Sequence, residues 1–388
     1  MSEIRPTEFL GYLRADGRVG VRNHVLVLSV VGLVNRAAER IAVAGAVLVA
    51  TPYGRGQYGA DKSLHRRQLI GLASNPNVAA VLIVAADRVT ADDLAAAIAV
   101  TGKPVRVIAL DDTHEDALEL SAKGIRTAGE LVHAASRLER TRQPVSALLC
   151  GIECGHSDAT SGIVANPAAG CFVDLLVDHG GSAIVGEAVE WLGAEDIVAR
   201  RAGSAGLSSA IVKAVLDRER AVAAAGVDLT GSNPGAENIR GGLTTIEEKS
   251  LGAIAKTGSR PVQGLLAHAE APKSPGFFLM DGPSFSPESI TGFVAAGAQL
   301  VMFTTGAGNS YCSALAPTIK VSGRPDTARR LPDQIDVDVS AVFKGEEIFE
   351  AAGRRLFDAT ITIASGALTW GEVHREGAEV FTRGHESM

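Results

Sequence analysis

The chain is predicted to be an α/β protein, with an N-terminal Rossmann-like parallel-sheet domain over residues 1–143 and a larger α/β catalytic domain over residues 144–388. Three observations predict it. Short β-branched apolar runs alternate with helical stretches, as in βαβ units. Hydrophobic residues make up 46% of the chain but aromatics only 4%, so small aliphatic side chains fill the core and helices can lie close on a sheet. The 43 glycines fall in clusters after predicted strands, where loops let backbone approach a ligand.

The elements follow in order. HVLVLSVVGLV (residues 24–34) is a continuous apolar run, as expected for a strand buried on both faces. AAERIAVA (37–44) reads as helix, AVLVAT (46–51) as the second strand and AAVLIVAAD (79–87) as the third. Residues 92–110 give a helix, a Gly-Lys-Pro turn and a fourth strand. Residues 114–143 are mostly helical until Pro144 halts the pattern, which sets the domain boundary near residues 142–145. The second part restarts with SALLCGIE (146–153), and GSAIVGE (181–187), GAQLVMFTT (297–305) and ATITIAS (359–365) are further strand candidates. Residues 211–226 read as a helix between them.

Bulk properties exclude several classes. A net charge of −7 argues against a nucleic-acid partner. No apolar run reaches the roughly 18 residues of a membrane span, and the charged start has no signal-peptide character. Cys150, Cys154, Cys171 and Cys312 without a secretory context point to a reducing, cytoplasmic setting.

Chemistry concentrates in glycine-rich segments beside strands. In GYLRADGRVGVRNH (11–24), Arg18 and Arg22 flank a glycine turn, and guanidinium forks suit carboxylate or sulfonate oxygens. In TPYGRGQYGADKSLHRR (51–67), Arg55 and Gln57 stand among three glycines. CGIECGHSDATSGIVANPAAG (150–170) carries Glu153, Cys154, His156, Asp158 and Asn166 between a strand and an apolar helix. There Asp158 either serves chemistry or caps a helix, and His156 either moves protons near neutral pH or is an ordinary hydrogen-bonded histidine. GGLTTIEEKSLGAIAKTG (241–258) has a helix-start signature in which a capping box absorbs one glutamate and leaves Lys249 beside two acids. MDGPSFSPESITG (280–292) and FTTGAGNSYCSALAPTIKV (303–321) join them, the latter with Thr305 and Asn309 in a loop suited to anions.

Read together, GIECGHSDATSGIVANPAAG, GGLTTIEEKSLGAIAKTG, MDGPSFSPESITGFVAAGAQ and FTTGAGN with APTIKV resemble the altronate/galactarate dehydratase family, as does the opening FLGYLRADGRVGVRNHVLV. The resemblance runs from residue 9 to residue 387. It implies a metal-dependent lyase acting on small anionic 2-hydroxy acids. Sugar-acid members remove water and leave a 2-keto-3-deoxy acid. They usually carry a small extra N-terminal domain that is not seen here, which implies a separate small subunit. One branch of the family is split in this way and eliminates sulfite from (2R)-3-sulfolactate, leaving pyruvate. The chain departs from the family at Arg55 and Ala253, where cysteines are common, and at His156, where sugar-acid members read glycine. Arg55 and His156 would suit a compact, strongly anionic leaving group such as sulfite.

For such a β-elimination, Lys249 or His156 is the candidate base, with Asp158 and Glu248 also in catalytic roles. Glu153, Cys154 and Glu248 are the candidate metal ligands, for Fe²⁺ first and Mg²⁺ or Mn²⁺ as alternatives. Arg18, Arg22, Arg55 and Gln57 would hold substrate anions, and Asn166, Thr305 and Asn309 would orient oxygens. The alternative is a sugar-acid dehydratase of altronate or galactarate type that eliminates water to a 2-keto-3-deoxy acid, and a further one is a non-catalytic anion-binding subunit; an oligomer is expected.

Overall fold

A computed structural model of the chain describes residues 7–228 and 233–385. The chain opens with β1 (Glu8–Leu13), paired antiparallel with the short β2 (Val19–Gly20). Four parallel strands follow: β3 (His24–Ser29), β4 (Val47–Ala50), β5 (Val78–Ala85) and β6 (Val105–Ala109), in the order β4-β3-β5-β6. Every residue of β5 is buried, as a strand covered on both faces requires. The covering helices are α1 (Asn35–Ala42), α2 (Gly59–Ser74), α3 (Arg88–Ala99) and α4 (Ala117–Ala135). α1 and α4 pack on one face, α2 and α3 on the other. Asp87 and Asp116 start α3 and α4 by accepting backbone N–H groups of the first turn.

One strand boundary differs from the sequence reading. The run at residues 24–34 stays extended only to Ser29 and then tightens into a 3₁₀ turn at Gly32–Val34, where Gly32 N–H bonds the Tyr53 carbonyl at 2.9 Å. After α4 the chain forms β7 (Thr141–Pro144), which pairs back on β1. The expected boundary near residue 143 therefore lies inside a strand that ties the end of the first part to its beginning.

The second part is a seven-stranded, all-parallel sheet. Its strands are β8 (Leu149–Cys154), β9 (Ser182–Val185), β10 (Val262–Ala267), β11 (Gly276–Asp281), β12 (Leu300–Thr304), β13 (Thr318–Ser322) and β14 (Val337–Asp338). The order is β10-β11-β9-β8-β12-β13-β14, with β8 in the middle. Its main helices are α5 (Asn166–Asp178), α6 (Ala205–Ala224), α7 (Ile246–Ile254), α8 (Ser286–Ala295) and α9 (Phe349–Ala364).

The strand expected at residues 359–365 is a correction: it is the last turns of α9. Threonine and isoleucine alternate there, but the longer window buries Ala352, Leu356, Phe357, Thr360 and Ile363, a helical period that packs on α5. Ser161–Asp178 is long and apolar enough by composition to cross a membrane, yet Phe172, Val173 and Leu176 sit in the main core.

The two sheets share a core. Leu69, Leu72 and Ala73 of α2 meet Ile290, Phe293 and Val294 of α8 in one buried cluster. Two buried amides lock this joint. Asn75 Nδ2 donates to the carbonyls of Val294 and Ala298 at 2.8 and 2.9 Å, and Asn77 Nδ2 donates to those of Gln299 and Leu315 at 2.8 and 2.9 Å.

Candidate active site

Three neighbouring strands end at one place. β8 ends on Glu153 and Cys154, the turn after β9 carries Glu187 and Glu190, and β12 runs into Thr305. The sheet changes direction of growth between β8 and β12, and such a switch leaves a crevice beyond the carboxyl ends of the strands. A cleft there is lined by Cys154, Ser157, Asp158, Asn166, Glu190 and Lys249, with Glu248 at its edge.

Beneath the cleft lies a buried charge cluster of Glu153, Cys154, Glu187, Glu190 and Lys256, each at most 4% exposed. The Lys256 ammonium donates to Glu190 Oε2 at 2.5 Å and to Cys154 Sγ at 3.0 Å, and it stands 3.7 Å from Glu153 Oε1. The Cys154 thiol reaches the Glu190 oxygens at 3.4 and 3.6 Å. Burial pushes the Glu153 carboxyl up to about 7 despite Lys256 nearby, and it pushes Glu187 well above the usual range, helped by Glu153 and Glu190. Burial acts on Glu190 as well, but Lys256 and Lys249 more than offset it and hold that carboxyl below its ordinary value. Burial alone would lower Lys256; the surrounding thiol and carboxylates instead raise it well above an ordinary lysine. Cys154 is pushed up to about 12, so it stays a thiol at neutral pH.

The cleft walls are set by close backbone approaches. Asp158 Oδ1 accepts from Thr160 Oγ1 at 2.6 Å and Ser161 N at 3.1 Å, and Oδ2 accepts from Arg324 at 3.1 Å. A Cβ on Gly306 would stand 2.2 Å from the Asp158 carboxyl carbon, so the loop after β12 reaches this carboxylate only as glycine. Gly162 and Gly252 meet in the same way: a Cβ on Gly252 would lie 2.8 Å from the Gly162 Cα, and this contact brings α7 onto the segment before α5. Asn166 accepts from Thr304 Oγ1 at 2.6 Å and donates to the Gly252 carbonyl at 2.9 Å, tying β12, α5 and α7 together at the cleft. The α7 start is a cap. Thr245 Oγ1 accepts the Glu248 N–H at 3.2 Å, while Glu248 Oε2 accepts from Thr244 N at 2.8 Å and from its hydroxyl. The capping reading therefore absorbs Glu248. Lys249 points on toward Asn233 Oδ1 at 2.9 Å.

The fold thus brings Glu153, Cys154, Asp158, Asn166, Glu248 and Lys249 together and leaves the remaining candidates outside the cleft. His156 is exposed, in the left-handed region at φ 49°, with Nδ1 2.8 Å from the Gly308 carbonyl. It anchors the 306–308 loop, and its backbone conformation is one that glycine adopts more easily. Thr305 Oγ1 accepts the Gly308 N–H at 3.1 Å and Asn309 Oδ1 the Tyr311 N–H at 2.9 Å, so both build the same loop. Arg22 spends all five of its N–H donors inside the protein, on Glu372 and on the carbonyls of Val21, Ile363 and Ala367. Arg18 pairs with Asp16, and Arg55 with Asp87, on the surface of the first part. Gln57 is buried with its Nε2 unpartnered.

Sequence reasoning missed Glu187, Glu190, Lys256 and Arg324. The available signal was position. Glu187 and Glu190 follow a predicted strand, and Arg324 follows β13, where an α/β sheet places its ligands.

Comparison with known proteins now bears on this site. Residues 145–385 match the family described as D-galactarate/altronate dehydratase, C-terminal, and residues 11–136 match its second domain. The chain belongs to the galactarate/altronate dehydratase family. Among its relatives in this dehydratase family, the (2R)-sulfolactate sulfo-lyase subunit beta of Chromohalobacter salexigens is 40% identical across 99% of this chain and 100% of that protein. The altronate dehydratases of Escherichia coli and Bacillus subtilis are 30% and 31% identical across 93% of this chain and 74% of theirs. These relatives are lyases, and this chain is a lyase-family enzyme. The expected metal fits the residues of this site. Glu153, Cys154 and Glu190 present ligand atoms within 4.8 Å of one another and could hold an ion, and Glu153 Oε2 is buried without a hydrogen-bond partner.

Proposed function

We propose that the chain is the large, catalytic subunit of a cytoplasmic, metal-dependent lyase that converts (2R)-3-sulfolactate to pyruvate and sulfite, together with a small separate subunit. The observation that carries this reading is the 40% identity extending over the full length of a sulfolactate sulfo-lyase subunit beta. The partner is proposed from the word subunit in that relative's name.

The reaction removes the proton on C2, breaks the C3–S bond so that sulfite leaves with the bonding pair, and gives enolpyruvate, which takes a proton at C3 to become pyruvate. Glu190 lines the cleft and is held ionised by Lys256 and Lys249, so it is the group suited to take the C2 proton. Lys249 places a cation at the same wall to balance charge developing at the substrate carboxylate. Arg324, whose side chain is 40% exposed and bonded to Asp158 of the cleft wall, is the guanidinium proposed to hold the sulfonate. A divalent ion held by Glu153 and Cys154, with Fe²⁺ favoured by the mixed oxygen and sulfur donors, would supply Lewis-acid stabilisation.

The test is to supply the protein and its small subunit with sulfolactate, altronate or galactarate and to assay pyruvate, sulfite and 2-keto-3-deoxy acid. Pyruvate and sulfite formed from sulfolactate, and lost on chelation, are expected. A keto-deoxy acid from a sugar acid alone would make it a dehydratase. Ligand binding without turnover, unaffected by chelator, would make it an anion-binding subunit.

A further inference from the structure

The cleft holds a free hydroxyl. Two serines line it, Ser157 and Ser161. The Ser161 hydroxyl is used within the protein: it accepts the Asp158 N–H at 3.1 Å and stands 3.5 Å from Asp158 Oδ1. Other polar side chains of the wall are committed in the same way. Asn166 is bonded to Thr304 and to the Gly252 carbonyl, Glu248 caps α7, and Asp158 holds Arg324. Ser157 differs. Its backbone carbonyl accepts from Asn238 Nδ2 at 2.8 Å, but among the described residues its hydroxyl has no partner. The residue is only 8% exposed, yet its hydroxyl is not sealed, so it opens on the cleft.

The backbone that carries this hydroxyl is fixed on both sides. Asn238 is 4% exposed, and its Oδ1 accepts the Gly235 N–H at 3.0 Å while its Nδ2 holds Ser157. Next along the chain, the Ala159 N–H bonds the Gly241 carbonyl at 3.2 Å, and a Cβ on Gly241 would stand 2.5 Å from the Asp158 Cβ. A donor held this firmly loses little freedom when it meets a ligand. Ser157 directly precedes Asp158, whose Oδ2 lies 3.1 Å from Arg324, whereas Lys249 is carried by α7. The hydroxyl therefore belongs to the Arg324 end of the cleft. Resting on the sulfolactate chemistry proposed above, we infer that Ser157 is a specificity-determining residue whose hydroxyl donates a hydrogen bond to a sulfonate oxygen beside Arg324. As the C3–S bond breaks, the bonding pair leaves on sulfite and its oxygens gain negative charge, so this bond strengthens toward the transition state. The serine keeps its proton throughout, and the C2 proton goes to Glu190.

The test compares Ser157→Ala with wild type, each as the full-length chain with its small subunit, on sulfolactate. kcat/KM is expected to fall about 10- to 100-fold, as for loss of one hydrogen bond to a charged oxygen, with the thermal midpoint unchanged. Product inhibition separates contact with the sulfonate from support of the cleft wall. The inhibition constant of sulfite should rise about tenfold in Ser157→Ala while that of pyruvate stays the same, a split that loss of packing does not produce. Wild-type kcat/KM and wild-type sulfite inhibition in Ser157→Ala would overturn the inference. So would equal weakening of both products, which places the hydroxyl away from the sulfonate. A wild-type enzyme that forms no sulfite from sulfolactate would instead overturn the sulfolactate reading itself, and the inference with it, before any variant is compared.

Discussion

The Lys256 ammonium lies 2.5 Å from a Glu190 carboxylate oxygen, and neither side chain is more than 3% exposed. A buried pair of this kind is weak evidence of net stabilisation, but removing one partner strands the other. Lys256→Met leaves three acids beneath the cleft without their ammonium. A loss of about 3–5 kcal/mol is expected by chemical denaturation. An unchanged midpoint would show that the acids are neutral without Lys256.

Glu190→Gln keeps the shape of the cleft wall and removes the proton acceptor. A fall in kcat of about 10²–10⁴-fold with little change in KM is expected, with C2 proton exchange into deuterated solvent lost in parallel. Exchange at the wild-type rate would move the base to Lys249.

Arg22→Ala separates a structural arginine from a substrate clamp. Its guanidinium bridges Glu372 and three carbonyls, so about 3–5 kcal/mol of stability should be lost while KM of the folded enzyme stays the same. Lysine is not expected to rescue it, because an ammonium cannot reproduce the planar fork. A raised KM with stability intact would return Arg22 to the substrate.

Arg324→Ala should behave in the opposite way. Its pair with Asp158 is partly exposed, so the stability change should stay within about 1 kcal/mol. KM for an anionic substrate should rise about tenfold, and the rise should shrink at high salt.

Stability should also depend on one buried acid far from the cleft. Glu379 accepts from Ser313 Oγ, Thr291 Oγ1 and Ala314 N, yet burial outweighs these bonds and pushes its carboxyl from 4.5 up to about 7. A folded-state value above the unfolded one means that the stability is fully present below about pH 4.5 and is lost as the pH rises through about 7. The loss is about 3 kcal/mol across that window. Thermal melting between pH 5 and 8 should show this decline in wild type and a flatter profile in Glu379→Gln. Equal slopes would remove Glu379 as its source.

Much of the fold was legible along the chain. The fully buried β5 and the β8 strand ending in Glu153 and Cys154 announce themselves as short apolar runs, because strand burial depends on consecutive residues. Residues 359–365 misled because a short β-branched alternation carries the strand period, while the helical period that packs α9 on α5 needs the longer window.

The sequence by itself determined the α/β class, the family and the glycine-rich segments around Glu153, Cys154, Asp158 and Lys249, since these depend on local pattern and motif. Only the tertiary structure decided which charges meet. Arg22 lies in a promising motif yet is consumed by Glu372 and two carbonyls 341 to 350 residues away, besides that of Val21. Lys256 and Glu190 are 66 residues apart and form the centre of the cluster. The reason is physical: hydrogen-bond saturation and desolvation are set by what the fold brings within about 3 Å, which is a property of the packed chain and not of its linear order.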